Sequence, residues 1–110
     1  MTPTARTLAH LRADGWIAGV VERYSHYKRR RLDLFGWIDL IAVRGPETIG
    51  VQATTSDNLA ARIAKARALP EFAVWHQPPH RRAVFYGWSK RGATGKRKLW
   101  TARIVDGDTV

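Results

Sequence analysis

Apolar and polar positions change period several times along this chain, and each change marks an element. After Thr2-Pro3, which offers a capping hydroxyl and a proline for the first helical turn, Ala5, Leu8, Ala9 and Leu11 recur at helical spacing until Asp14-Gly15 ends the run. This predicts a short amphipathic helix. Trp16 to Tyr24 is rich in β-branched and aromatic residues and reads as a first strand. Two apolar runs, Phe35 to Val43 and Thr48 to Thr55, flank a Gly45-Pro46 turn signal, and each is long enough for one buried strand. Together they predict a hairpin. Ser56 as a cap, Asp57 in the first turn and Pro70 beyond the end bracket a helix from about 57 to 69, with Leu59, Ile63 and Ala66 as its apolar stripe. Phe72 to His76 reads as a short strand. Arg82 to Lys90 and Lys98 to Val105 read as two further strands, joined by a loop containing Gly92 and Gly95. This succession predicts one α/β domain with a mixed central β-sheet flanked by helices.

Two polar residues interrupt the hairpin. Alternation along the first run puts Trp37, Asp39 and Ile41 on one face and Ile38, Leu40 and Ala42 on the other, which leaves Asp39 as the one carboxylate in an apolar strand. On the second run Gln52 shares a face with Thr54. Buried polar groups require partners, so an acid and an amide on neighbouring strands point to a site. The alternative for Asp39 is a structural pair with a buried arginine.

The segments DLFGWIDLIAV and IGVQATT, separated by a short turn, resemble the core of the PD-(D/E)XK nuclease superfamily, in particular its small phage and bacterial members related to Holliday junction resolvases. The resemblance covers about the middle third of the chain and implies a restriction-endonuclease-like core. It also implies a metal-dependent DNA nuclease of phage or bacterial DNA processing, acting on branched or single-stranded structures, with a homodimer possible. Asp39 matches the family Asp and Gln52 the second ligand position. These two, with the Ala53 carbonyl, are then the expected ligands of Mg²⁺ or Mn²⁺, whose hardness suits oxygen donors. Thr54 stands where the family has Lys, and the first helix has no Glu where many members carry an acid. Two other readings stay open: a catalytically inactive DNA-binding module on the same fold, and a basic adaptor or inhibitor that binds an acidic protein.

Charge favours a polyanionic partner. Nineteen Lys and Arg against nine Asp and Glu give a formal charge of +10 on 110 residues. Lys28, Arg29, Arg30 and Arg31 form one cluster and Lys96, Arg97 and Lys98 another, both expected to hold phosphates. On the second helix Asn58, Arg62 and Lys65 share a stripe and can reach one point. Lys65 either supplies the cation missing at Thr54 or lies on the solvated face. Asp33 either joins the site, as a ligand or a supporting carboxylate, or pairs with the basic run. Glu22 either replaces the absent helix acid or pairs with an arginine. Trp88 and Trp100 either fill the core or form a stacking platform among the cations. There is no cysteine, and hence no disulfide framework, thiolate site or thiol nucleophile. No apolar run reaches membrane-spanning length and no signal peptide is recognised, so a cytoplasmic location without membrane partners is expected.

Overall fold

The computed structural model describes residues 1–107. Its core is a five-stranded mixed sheet in the order β1-β4-β5-β6-β7, formed by Ile17–Val20, Leu40–Arg44, Glu47–Thr55, Arg81–Arg91 and Leu99–Asp106. Only β5 and β6 run parallel, and the crossover between them carries helices α2 (Leu59–Arg67) and α3 (Pro70–Trp75). Helix α1 (Pro3–Ala13) covers the opposite face. A separate two-stranded ribbon, β2 (Arg23–Ser25) with β3 (Arg30–Leu32), is inserted between β1 and β4. The expected α/β class with a mixed sheet flanked by helices is the one observed.

Local chemistry explains the frame. Thr2 caps α1 by accepting from the Ala5 N–H at 3.1 Å, and Pro3 occupies the first turn. Thr7 is fully buried on this helix: its hydroxyl donates to the Pro3 carbonyl and accepts from the Trp88 indole N–H at 2.9 Å, which ties α1 to β6. Strand alternation splits the core in two. Leu40, Ala42, Ile49, Val51 and Ala53 face α1 with Leu11 and Trp16, whereas Trp37, Ile38 and Phe85 pack against Leu59, Ile63, Ala66 and Phe72 of α2 and α3. Burying each leucine, isoleucine or valine of these clusters contributes roughly 1.5–3 kcal/mol. Strand β6 is interior, and its buried run from Ala83 to Trp88 is accordingly apolar on both faces.

Four expectations about elements are corrected. Trp16 to Tyr24 is not one strand: β1 stops at Val20, and Arg23 belongs to the ribbon. Phe35 to Val43 is not one strand either, because Phe35 and Gly36 take φ of 55° and 84° and reverse the chain, so β4 begins only at Leu40. Alternation fails there in consequence, and Ile38 packs with Trp37 rather than with Leu40. Phe72 to His76 is helical, not extended. Pro70 opens α3, Phe72 and Trp75 turn inward at a spacing of three, and Val74 is left exposed, a pattern that a short apolar run does not reveal by composition. Gly50 accommodates this helix, since a Cβ there would lie 2.9 Å from the Trp75 indole nitrogen. Finally, the predicted helix over 57–69 begins as a 3-10 turn at Ser56–Asn58, and Ser56 makes no capping bond.

Candidate functional site

The reversal at Phe35-Gly36 builds the site. Leu34 and Ile38 form an isolated antiparallel bridge, with Leu34 N–H donating to the Ile38 carbonyl at 2.9 Å and Ile38 N–H to the Leu34 carbonyl at 3.0 Å. Residues on either side of such a bridge oppose one another. The sequence Asp-Leu-Phe-Gly-Trp-Ile-Asp therefore closes a small loop whose two outer residues, Asp33 and Asp39, meet. Backbone bonds then fix Asp39 between strands: its N–H donates to the Val51 carbonyl at 2.8 Å, and its own carbonyl accepts from Val21 N–H at 2.9 Å and Glu22 N–H at 3.3 Å. The last contact draws Glu22 into place just past β1.

Glu22, Asp33 and Asp39 each offer a carboxylate oxygen, and these oxygens all lie within 4.8 Å of one another. Asp39 is 4% exposed, and its Oδ2 accepts from the Ala53 N–H at 2.9 Å. Burial first, then the hydrogen bond shared with Asp33, push its carboxyl up from 3.8 to about 8, against the lowering effect of the Ala53 N–H; the negative charges of Asp33 and Glu22 push the same way as burial. Burial thus favours the neutral form of this carboxyl, whose proton a bound cation would displace. Among the described residues Asp39 has no ion pair, so the structural pair with a buried arginine is not formed. Glu22 pairs with an arginine, Arg31 at 3.7 Å, and its carboxylate also lies in the acid cluster.

These acids form one side of a cleft of about 410 Å³ at the C-terminal end of β5. Arg31, Arg62 and Lys65 supply its cations, Ala53, Thr54 and Thr55 its floor, and Pro3 and Thr4 the N-terminal turn of α1. Lys65 therefore lines the same cleft as Asp39 although it comes from a helix. Thr54 is buried and uncharged. Gln52 is 4% exposed, does not line the cleft, and its Oε1 has no hydrogen-bond partner among the described residues. The antiparallel register of Leu40 with Val51 sets Gln52 beside Asp39 when continued by one step. Asn58 does not join Arg62 and Lys65. Its amide donates to the Thr55 hydroxyl at 3.1 Å, outside the cleft lining.

The donor set suits a hard divalent cation: clustered carboxylates, one of them pushed up by burial and by its acidic neighbours, with a buried amide oxygen on the adjacent strand that has no hydrogen-bond partner among the described residues. For Glu22 the sequence leaves two readings open. The available signal is its position directly after an apolar strand in a chain poor in acids.

The two predicted basic clusters fall outside the cleft but at the same end of the sheet, apart from Arg31, which lines it. Lys28, Arg29 and Arg30 lie exposed at the turn of the β2–β3 ribbon, and Lys96, Arg97 and Lys98 lie exposed in the loop between β6 and β7. Trp88 and Trp100 part company: Trp88 is core, while Trp100 stands at the surface with the Arg6 guanidinium 3.8 Å from its ring centroid. No helix among the described residues is long and apolar enough to cross a membrane. No protein-family model matches the chain, and neither a curated protein nor a solved structure shows significant similarity to it.

Proposed function

We propose that the chain is a metal-dependent phosphodiesterase acting on DNA, with Glu22, Asp33 and Asp39 as the ligands of Mg²⁺ or Mn²⁺ and Gln52 as a neutral oxygen donor behind them. The observation that carries this reading is the meeting of those three carboxylates in a cleft whose other side is cationic. A divalent ion bound there supplies Lewis-acid polarisation of a phosphoryl group. The protein's own groups do the rest. Asp39 gives up its proton when a cation replaces it, and the Ala53 N–H keeps the carboxylate oriented. Lys65 and Arg62 stand opposite the acids, where negative charge builds on phosphate oxygens during displacement, and Arg31 holds Glu22 in position while adding to the positive field. Lys65 takes the place of the lysine missing at Thr54.

The test is incubation of flap, junction, single-stranded and plain duplex DNA with the protein in Mg²⁺ and in Mn²⁺. Cleavage is expected with either metal and is lost with EDTA. Asp39→Asn abolishes it, while Lys65→Ala lowers kcat by about 100-fold with little change in DNA affinity, because its charge acts mainly in the transition state. Thr54→Ala has little effect. DNA binding without cleavage under every metal condition would instead establish the inactive DNA-binding module.

A further inference from the structure

Two ribbons rise from opposite corners of the sheet end that holds the acidic cleft. Strand β1 ends at Val20 opposite Leu40, and leads through Glu22 into the β2–β3 ribbon. On the other side β6 leaves β5 after the Thr55–Trp88 pair, and from Ser89 to Arg91 it pairs with β7 alone. Four inter-strand steps separate β1 from β7, which places the ribbon roots roughly 19 Å apart with the cleft between them.

Both ribbons carry aromatic rings that the core does not use. Tyr27 at the tip of β2–β3 is 95% exposed, and Tyr24 beside it is half exposed and stacks only edge-on with His26 at 5.1 Å. On β6–β7, Trp100 remains 42% exposed although Arg6 and Lys90 lie against its ring at 3.8 and 5.3 Å. Exposed cations lie on the same ribbons: Lys28, Arg29 and Arg30 on the first, Lys90, Arg91 and Lys96 to Lys98 on the second. None of these cations forms an ion pair among the described residues. Exposed rings interleaved with unpaired cations are what a single strand requires, since every base presents a π-face and every linkage a charge. A paired, stacked duplex offers the charges but hides the faces of its bases.

We propose that the two ribbons form a platform for single-stranded polynucleotide, with unpaired bases stacking on Tyr27 and Trp100 and the intervening strand crossing the acidic cleft. This deepens the hydrolase reading and rests on it, and it names the substrate form: DNA with an unpaired stretch.

The experiment measures anisotropy of a labelled oligothymidylate of about 16 nucleotides, the upper site size of such surfaces. Its duplex with oligoadenylate is measured beside it, both in EDTA so that no cleavage intervenes. Tyr27→Ala and Trp100→Ala are each expected to weaken single-strand binding about tenfold and duplex binding less than about twofold, while Tyr27→Phe and Trp100→Phe retain wild-type affinity. Tyr27 makes no core contact, so its variant folds whatever the fate of Trp100→Ala. Unchanged single-strand affinity in both alanine variants, or equal losses on duplex and single strand, would overturn the platform while leaving metal-dependent cleavage standing. Failure of the wild-type protein to bind either form at low salt would overturn both readings.

Discussion

Asp39 carries most of the chemistry at the scale of single residues, and its protonation makes a prediction that does not depend on catalysis. Its folded-state value of about 8 lies above the unfolded 3.8, so the stability it contributes is full below pH 4 and is lost as pH rises toward 8. The largest slope a single such group can give is about 1.4 kcal/mol per pH unit. Asp39→Asn should remove this component: an amide can still accept from Ala53 N–H and donate to Asp33, as the protonated acid does. Melting curves of the metal-free proteins from pH 5 to 8 should therefore diverge, with the wild type losing ground and the variant more stable at pH 8. Mn²⁺ should restore the wild type, more at pH 8 than at pH 6, and should leave the variant unmoved. Parallel curves for the two proteins would refute the proton at this site. The sequence singles out Asp39 because an acid inside an apolar run is conspicuous. It does not place Gln52 and Thr54, because what they face depends on packing that no single strand reveals.

Between residue and fold stands the loop from Asp33 to Asp39, and it explains why part of the site is illegible in the sequence. Periodicity treats Phe35 to Val43 as one extended run, for Phe, Trp and Ile are all good strand formers. Tertiary packing overrides that preference. Trp37 and Ile38 are completely buried under α2 and α3, and reaching that position requires a left-handed reversal at Phe35-Gly36. The glycine is the one local signal. A strand reading holds Asp33 six residues from Asp39 along the chain, whereas the closed loop sets them together. Hence the sequence alone leaves Asp33 divided between the site and the basic run. The helical state of Phe72 to Trp75 is hidden for a similar reason, as six residues are too few to show a period. Gly36→Ala tests the loop. An added Cβ would adopt φ of 84° and approach Leu69 Cδ1 to 3.0 Å. The expected cost is about 1–3 kcal/mol of stability, together with a weaker Mn²⁺-induced rise in melting temperature, because the two aspartates lose their register. A stability loss with the metal response intact would mean that the carboxylates are held by the strands alone.

Across the whole molecule the charges are sorted by sheet end, a feature that the net charge of +10 does not disclose. At the end remote from the cleft, Arg44 pairs with Asp14 and Glu47 at 3.1 and 3.7 Å, and Arg82 pairs with Glu47 and Asp106 at 3.0 and 3.5 Å. Acids and bases cancel there. At the cleft end Glu22, Asp33 and Asp39 are gathered into the site, and the cations of both ribbons and of α2 have few acidic partners among the described residues, so the positive field converges on the cleft. Neutralising phosphates releases counterions. If about five are neutralised, log K for DNA falls with log salt at a slope of roughly −4 to −5. Replacing Lys96, Arg97 and Lys98 together by alanine should reduce that slope by about 2 to 3, since each phosphate left without its cation takes away about 0.9. Arg44→Ala, at the neutralised end, should leave the slope unchanged and cost at most about 1 kcal/mol of stability, the ordinary worth of exposed pairs. Titrations at several salt concentrations decide the matter. Equal changes of slope from both substitutions would show a diffuse field, and a flat salt response in the wild type would remove nucleic acid as the partner.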